Sequence, residues 1–356
     1  MDDLGAGYSP PEGAVYRYVH ANRVPFLTRP DLPRHDPIMS EPASPKPRAA
    51  FLLPWRLVAL LFVAVCLAGG LAAVSAGSQY VPGAISGLIL GFFGTVFGGR
   101  TKTICAIASV ALASVASTII PSWVSFYALA PAFAMLAGTE LARFGTRVSV
   151  FAIMSWILLN GPATSGADLI PLLLAFSASA ALGTAMAVVL KVEGRVPSTH
   201  VERGYAIAHG CALALGLVLA QLIASQFDNA NSHWIALLFA ARALDPPGSH
   251  AKQAGRRGLA MVLGAGVASV LVMLPITLLW YRLVAVAFFL IGLRYLPSGC
   301  SVSPALMSAG IILASSPTTE TAVFRAEAAI LACGLVLFVF FLARLARKLI
   351  LELRGY

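Results

Sequence analysis

From Trp55 onward the chain is written in apolar blocks about 20 residues long, separated by short polar or basic breaks, and about 20 apolar residues is what a helix needs to cross roughly 30 Å of hydrocarbon. The blocks show no two-residue alternation. Ala106 to Ile120 and Leu331 to Leu342 are apolar or small on every face, which excludes the alternating strands of a β-barrel and leaves helices. The breaks predict twelve helices, near 57–76, 80–97, 103–120, 122–141, 148–161, 168–190, 204–225, 232–245, 258–274, 276–293, 301–316 and 326–346. The expected fold class is all-α: a polytopic membrane protein surrounded by a lipid bilayer. Residues 1–52 are polar and rich in Pro, Arg and His, the composition of a disordered tail. The first apolar block begins too late for a cleavable signal peptide, and Met39 is a second candidate start beside Met1.

Composition agrees with this pattern. Of 356 residues, 58% are hydrophobic and only 11% charged, against about 25% charged in a soluble domain. The net charge of +10 raises nucleic acid as a partner, but the placement of the charges explains it better. With the N-terminus cytoplasmic, every Lys and Arg falls in a cytoplasmic segment except Arg325, in an outside loop, and Arg282, within helix ten. Basic loops resist translocation, so the basic balance reads as topology: a bacterial inner-membrane protein crossing many times, both termini cytoplasmic, with no nucleic-acid role. Cys66, Cys105, Cys211, Cys300 and Cys333 stand singly and read as small apolar residues. There is no H-E-x-x-H, Walker loop, G-x-S-x-G or catalytic carboxylate pair. An enzyme, a cofactor and a metal are therefore not expected.

The two halves of the chain match each other at an offset of 154 to 155 residues. Tyr127, Leu129, Leu136 and Gly138 recur as Tyr281, Leu283, Leu290 and Gly292. Ile157 to Thr164 lies against Ile312 to Thr319, so that both fifth helices end in a small, polar mouth containing proline, and Ala113-Ser114-Val115 meets Ala268-Ser269-Val270. Each half has an even number of helices, so the expected arrangement is two parallel six-helix repeats about an axis along the bilayer normal. Residues 53–191 form one half and 204–356 the other, joined by a cytoplasmic linker over 192–203 with no room for a soluble domain.

In the second half, Trp234 is followed after about a dozen residues by Pro246, after about a dozen more by Arg257, and then by small residues including Gly264. This order resembles the fusaric acid resistance-like (FUSC) family of aromatic acid exporters, best over 205–346 and more weakly over 56–190. The Gly-Thr pair usual after the family's arginine is Ala260-Met261 here, and the large soluble domain frequent in the family is missing. The resemblance implies proton-coupled efflux of small organic or aromatic acids. A passive anion channel and a structural subunit of an envelope assembly remain the alternatives, and a homo-oligomer stays open.

The candidate site residues follow. Arg282 lies inside a helix, where a charge is costly unless it meets a partner or water; it either holds an anionic substrate or snorkels outward. Arg256 and Arg257, at the cytoplasmic start of helix nine, either attract an organic anion or only fix topology, and Trp234 joins them as a substrate candidate. Asp245 and Arg242 close helix eight, where they gate or relay protons or simply end the helix. His209 in helix seven suits proton coupling or packs by a hydrogen bond. Glu140 is read as pairing with Arg143, three residues on. Gly83, Gly87, Gly91, Gly94 and Gly98 stripe helix two for close packing. Its repeat partner is the brief helix eight, and interrupted helices at matching positions point to a transport site. The pathway is expected beside helices two, three, eight and nine.

Overall fold

The computed structural model describes residues 52–353 except 197, 199–200, 228–230, 245–249, 296–299 and 316–317. Asp245 and Pro246 thus lie outside the described residues. Among those described there are helices and turns but no strand, so the chain is all-α. The order is α1 (Trp55–Ser75), α2 (Val81–Gly98), α3 (Arg100–Ile119), α4 (Ser122–Phe144), α5 (Val148–Leu159) and α6 (Leu169–Val189). Then come α7 (Arg203–Ala224), α8 (Trp234–Arg242), α9 (His250–Val272), α10 (Leu278–Tyr295), α11 (Val302–Ser315) and α12 (Thr319–Leu353). Nine of the described helices are long and apolar enough to cross a membrane, the make-up of a multi-pass membrane protein. The exceptions are α5, α8 and α11, with 12, 9 and 14 residues. At about 1.5 Å per residue, α8 reaches only about 14 Å, half a hydrocarbon core.

Because the helices are apolar all round, side-chain size rather than polarity selects the packed face. In α1 the buried positions are Val58, Leu61, Ala64, Ala68, Gly69 and Ala72, while Leu60, Val63, Leu67, Leu71 and Val74 are exposed. Small residues let backbones approach where water supplies no driving force between helices. The closest approach joins α2 and α6. A methyl added at Gly87 or Gly91 would collide with the backbone oxygen of Phe176 or Ala180, and one at Gly183 with the backbone of Leu88 and Phe92. The glycine stripe is therefore a packing surface. Gly138 and Gly210 face each other where α4 crosses α7, and Gly264 lies against Ala305 where α9 crosses α11.

Short α5 sits deepest. Ten of its twelve residues are buried, and it packs against α2, α3, α4 and α8. Gly145, at φ 65°, turns the chain between α4 and α5 so that the Glu140 carboxylate reaches the start of α5. It accepts the Val148 and Ser149 N–H groups at 2.8 and 2.7 Å and the Thr146 hydroxyl at 2.6 Å. The expected Glu140–Arg143 pairing is replaced by a helix cap, which satisfies donors that the first turn leaves open and complements its positive end.

Two boundaries move in ways that matter for function. Helix α12 begins at Thr319, seven residues before the apolar pattern does, because the Thr318 hydroxyl accepts the Thr321 N–H at 3.2 Å and caps the helix. This draws Arg325 out of the expected outside loop and into the helix. Helix α9 begins at His250, so Arg256 and Arg257 lie inside its second turn or just beyond rather than ahead of it.

Candidate functional site

The half-length helix α8 is held between α7, α12 and α5. Gly216 on α7 makes room for the Phe239 ring, which brings α7 and α8 close together. Beside it, His209, Leu213, Phe239, Arg242, Val336 and Phe340 line a cavity of about 20 Å³, room for roughly one water-sized group. His209 is half-buried and stacks near Tyr205, with ring centroids 6.3 Å apart and planes at 13°. Arg242 is buried, 4% exposed, with its Nη2 3.5 Å from the Met261 sulfur of α9. Two residues that the sequence assigned to coupling or gating, His209 and Arg242, thus meet around one cavity. Arg147, at the entry to α5, donates a hydrogen bond to the Leu244 carbonyl just past α8 and ties the two short helices together.

Trp234 opens α8 eight residues before Arg242, about 12 Å along the axis. Its indole is buried, and the Arg325 guanidinium lies 4.1 Å from the ring centroid. Arg325 is 4% exposed, and its Nε has no acceptor among the described residues. Around this contact, His233 meets Trp234 and lies beside Gly161 at the end of α5, and Phe227 meets Phe324 edge-on at 5.7 Å. A buried guanidinium thus stands near each end of α8. Among the described residues the buried charged side chains are Glu140, Arg242 and Arg325; the one carboxylate is committed to capping α5.

The other candidates are not drawn into this cluster. Arg282 and Arg256 are exposed, and Arg257 is half-buried on α9. Tyr281, next to Arg282, turns inward and donates to the Leu274 carbonyl at 2.7 Å. A larger groove of about 320 Å³ lies between α3 and α4, but Leu112, Ala116, Leu129, Phe133 and Leu136 make it apolar, and it opens outward. Arg325 is the residue sequence reasoning missed. The signal that could have found it is Thr318, a helix-capping residue placed seven positions earlier.

Compared with family models, with curated proteins and with solved structures, the chain matches none.

Proposed function

We propose that the protein is a bacterial inner-membrane exporter of small organic, often aromatic, anions, driven by the proton gradient. The observation that carries this is the pair of buried arginines flanking α8. Charge inside a bilayer is costly enough that an interior ionisable residue marks a substrate or ion path by default, and guanidinium selects anions. The FUSC resemblance supplies the aromatic-acid class, and the His209 cavity beside Arg242 supplies a titratable group for coupling. Arg282 and Arg256, being exposed, fit anchoring at the membrane surface better than substrate binding.

The reading places the path between two parallel six-helix repeats with both termini cytoplasmic. Helix pairings that recur at a six-helix interval support it. α1 packs on α2 as α7 does on α8, α2 on α6 as α8 on α12, α3 on α5 as α9 on α11, and α4 on α5 as α10 on α11. Across the halves, α4 packs on α7 as α10 does on α1. Short α5 and short α11 occupy matching places. Tyr80 and Trp234, 154 residues apart, each stand at the head of a second helix and touch the start of a sixth: the Tyr80 hydroxyl accepts the Asp168 N–H at 3.1 Å, and Trp234 carries Arg325.

The test is accumulation of labelled phthalate, an aromatic carboxylate that crosses bare lipid slowly, in energised inside-out vesicles. Accumulation above that of vesicles lacking the protein is expected, with its loss when a protonophore is added. Accumulation indifferent to the protonophore removes the coupling. One observation favours a passive anion channel as the second reading: Glu140, the buried carboxylate among the described residues, is already used as a cap. Single-channel currents in a planar bilayer would select the channel.

A further inference from the structure

The Trp234–Arg325 contact is an unusual thing to bury. A guanidinium cannot shed its charge under ordinary conditions, so withdrawal from water must be offset by a partner. Among the described residues Arg325 meets the indole face and no carboxylate, and Glu320 and Glu327 on the same helix are exposed. Arg325 is the seventh residue of α12, nearly two turns in from the start of the helix. Trp234, whose ring covers it, is the first residue of α8. The buried guanidinium with an unused donor is what makes this contact a site.

We infer that Arg325, covered by Trp234 at the head of α8, is a recognition site for the carboxylate of an aromatic organic anion. The Trp234 ring lies over the guanidinium carbon and supplies no acceptor atom, so the N–H donors remain for a ligand. Nε, which lacks an acceptor among the described residues, is one of them. A planar carboxylate matches that fork edge-on with two parallel hydrogen bonds, whereas a neutral amide offers a single acceptor and no charge. Phe324 and the Phe227 ring against it give the neighbourhood the aromatic character that an aryl acid would meet. The site rests on the anion-transport reading for its role in translocation, and not for its binding.

The experiment is thermal unfolding of the purified full-length protein in phosphatidylcholine nanodiscs, whose headgroups offer no carboxylate, with benzoate or benzamide added. Benzoate should raise the wild-type melting temperature in a saturable way, as a ligand of the native state does, and benzamide should not. Arg325→Met should unfold no earlier than wild type without ligand, because replacing an unpaired buried ion by an apolar side chain is neutral or stabilising, and should lose the benzoate shift. Arg325→Lys, which keeps the charge and loses the fork, should weaken benzoate about tenfold or more. That variant also serves if the methionine variant fails to fold. A wild type blind to benzoate, an equal response to benzamide, or an undiminished response in both variants overturns the site. Benzoate binding without phthalate transport would sink the exporter and leave this site standing. Transport alongside undiminished benzoate binding in Arg325→Met would do the opposite.

Discussion

Among the described residues Glu140, Arg242 and Arg325 are the buried charged side chains, and their surroundings set different tasks. Glu140 receives three short hydrogen bonds from the start of α5, so its role is structural. Replacing it with Ala strands two backbone N–H groups and a hydroxyl. The expected loss is roughly 3 kcal/mol, seen as a lower melting temperature in detergent, with Glu140→Gln falling between Ala and wild type. Arg242 meets the Met261 sulfur and Arg325 the Trp234 ring. Arg282, exposed on α10, is expected to matter little: Arg282→Ala should keep phthalate accumulation within about twofold of wild type, the latitude of a surface substitution. A loss comparable to removing the protein would restore it as a substrate residue. The sequence places Arg242 in a cytoplasmic segment at the end of an apolar block, whereas the structure buries it. That Arg325 is interior was not legible, because Glu320, Arg325 and Glu327 break the apolar pattern and hide a helix start that depends on one threonine hydroxyl. Glu140 was misread because spacing alone paired it with Arg143, while the left-handed turn at Gly145 redirected it.

At the scale of elements, hydropathy located the helices but not how far each one extends. The sequence predicts helix eight over 232–245, and α8 spans only Trp234–Arg242. The α2 stripe was legible as a packing surface, since glycines four apart share a face, and its partner α6 was not, because α6 is apolar on every side. The stripe makes a sharp prediction. Gly91→Ala should destabilise by about 1 to 3 kcal/mol, the ordinary cost of overpacking, because its methyl meets the Ala180 carbonyl. Gly70→Ala, which meets nothing within 4 Å, should be neutral or stabilising by up to about 1 kcal/mol from helix propensity alone. Denaturation of the two variants side by side in one detergent checks both. Equal effects would mean that the α2–α6 contact is looser than described.

Basic residues gather on alternate sides of the predicted helices, so reporters fused ahead of Trp55 and after Tyr356 should both read out from the cytoplasm. Periplasmic signals from both would invert the orientation and turn export into uptake. In the proposed two-repeat reading, α8 is the interrupted helix beside the transport path. Its ends carry the buried cations that an organic anion would meet in sequence. The most direct test of that claim uses the purified chain alone in liposomes loaded with unlabelled phthalate. Labelled phthalate added outside should exchange inward with saturable kinetics, and the rate should fall with Arg242→Met and Arg325→Met. Exchange no faster than in protein-free liposomes would contradict the account.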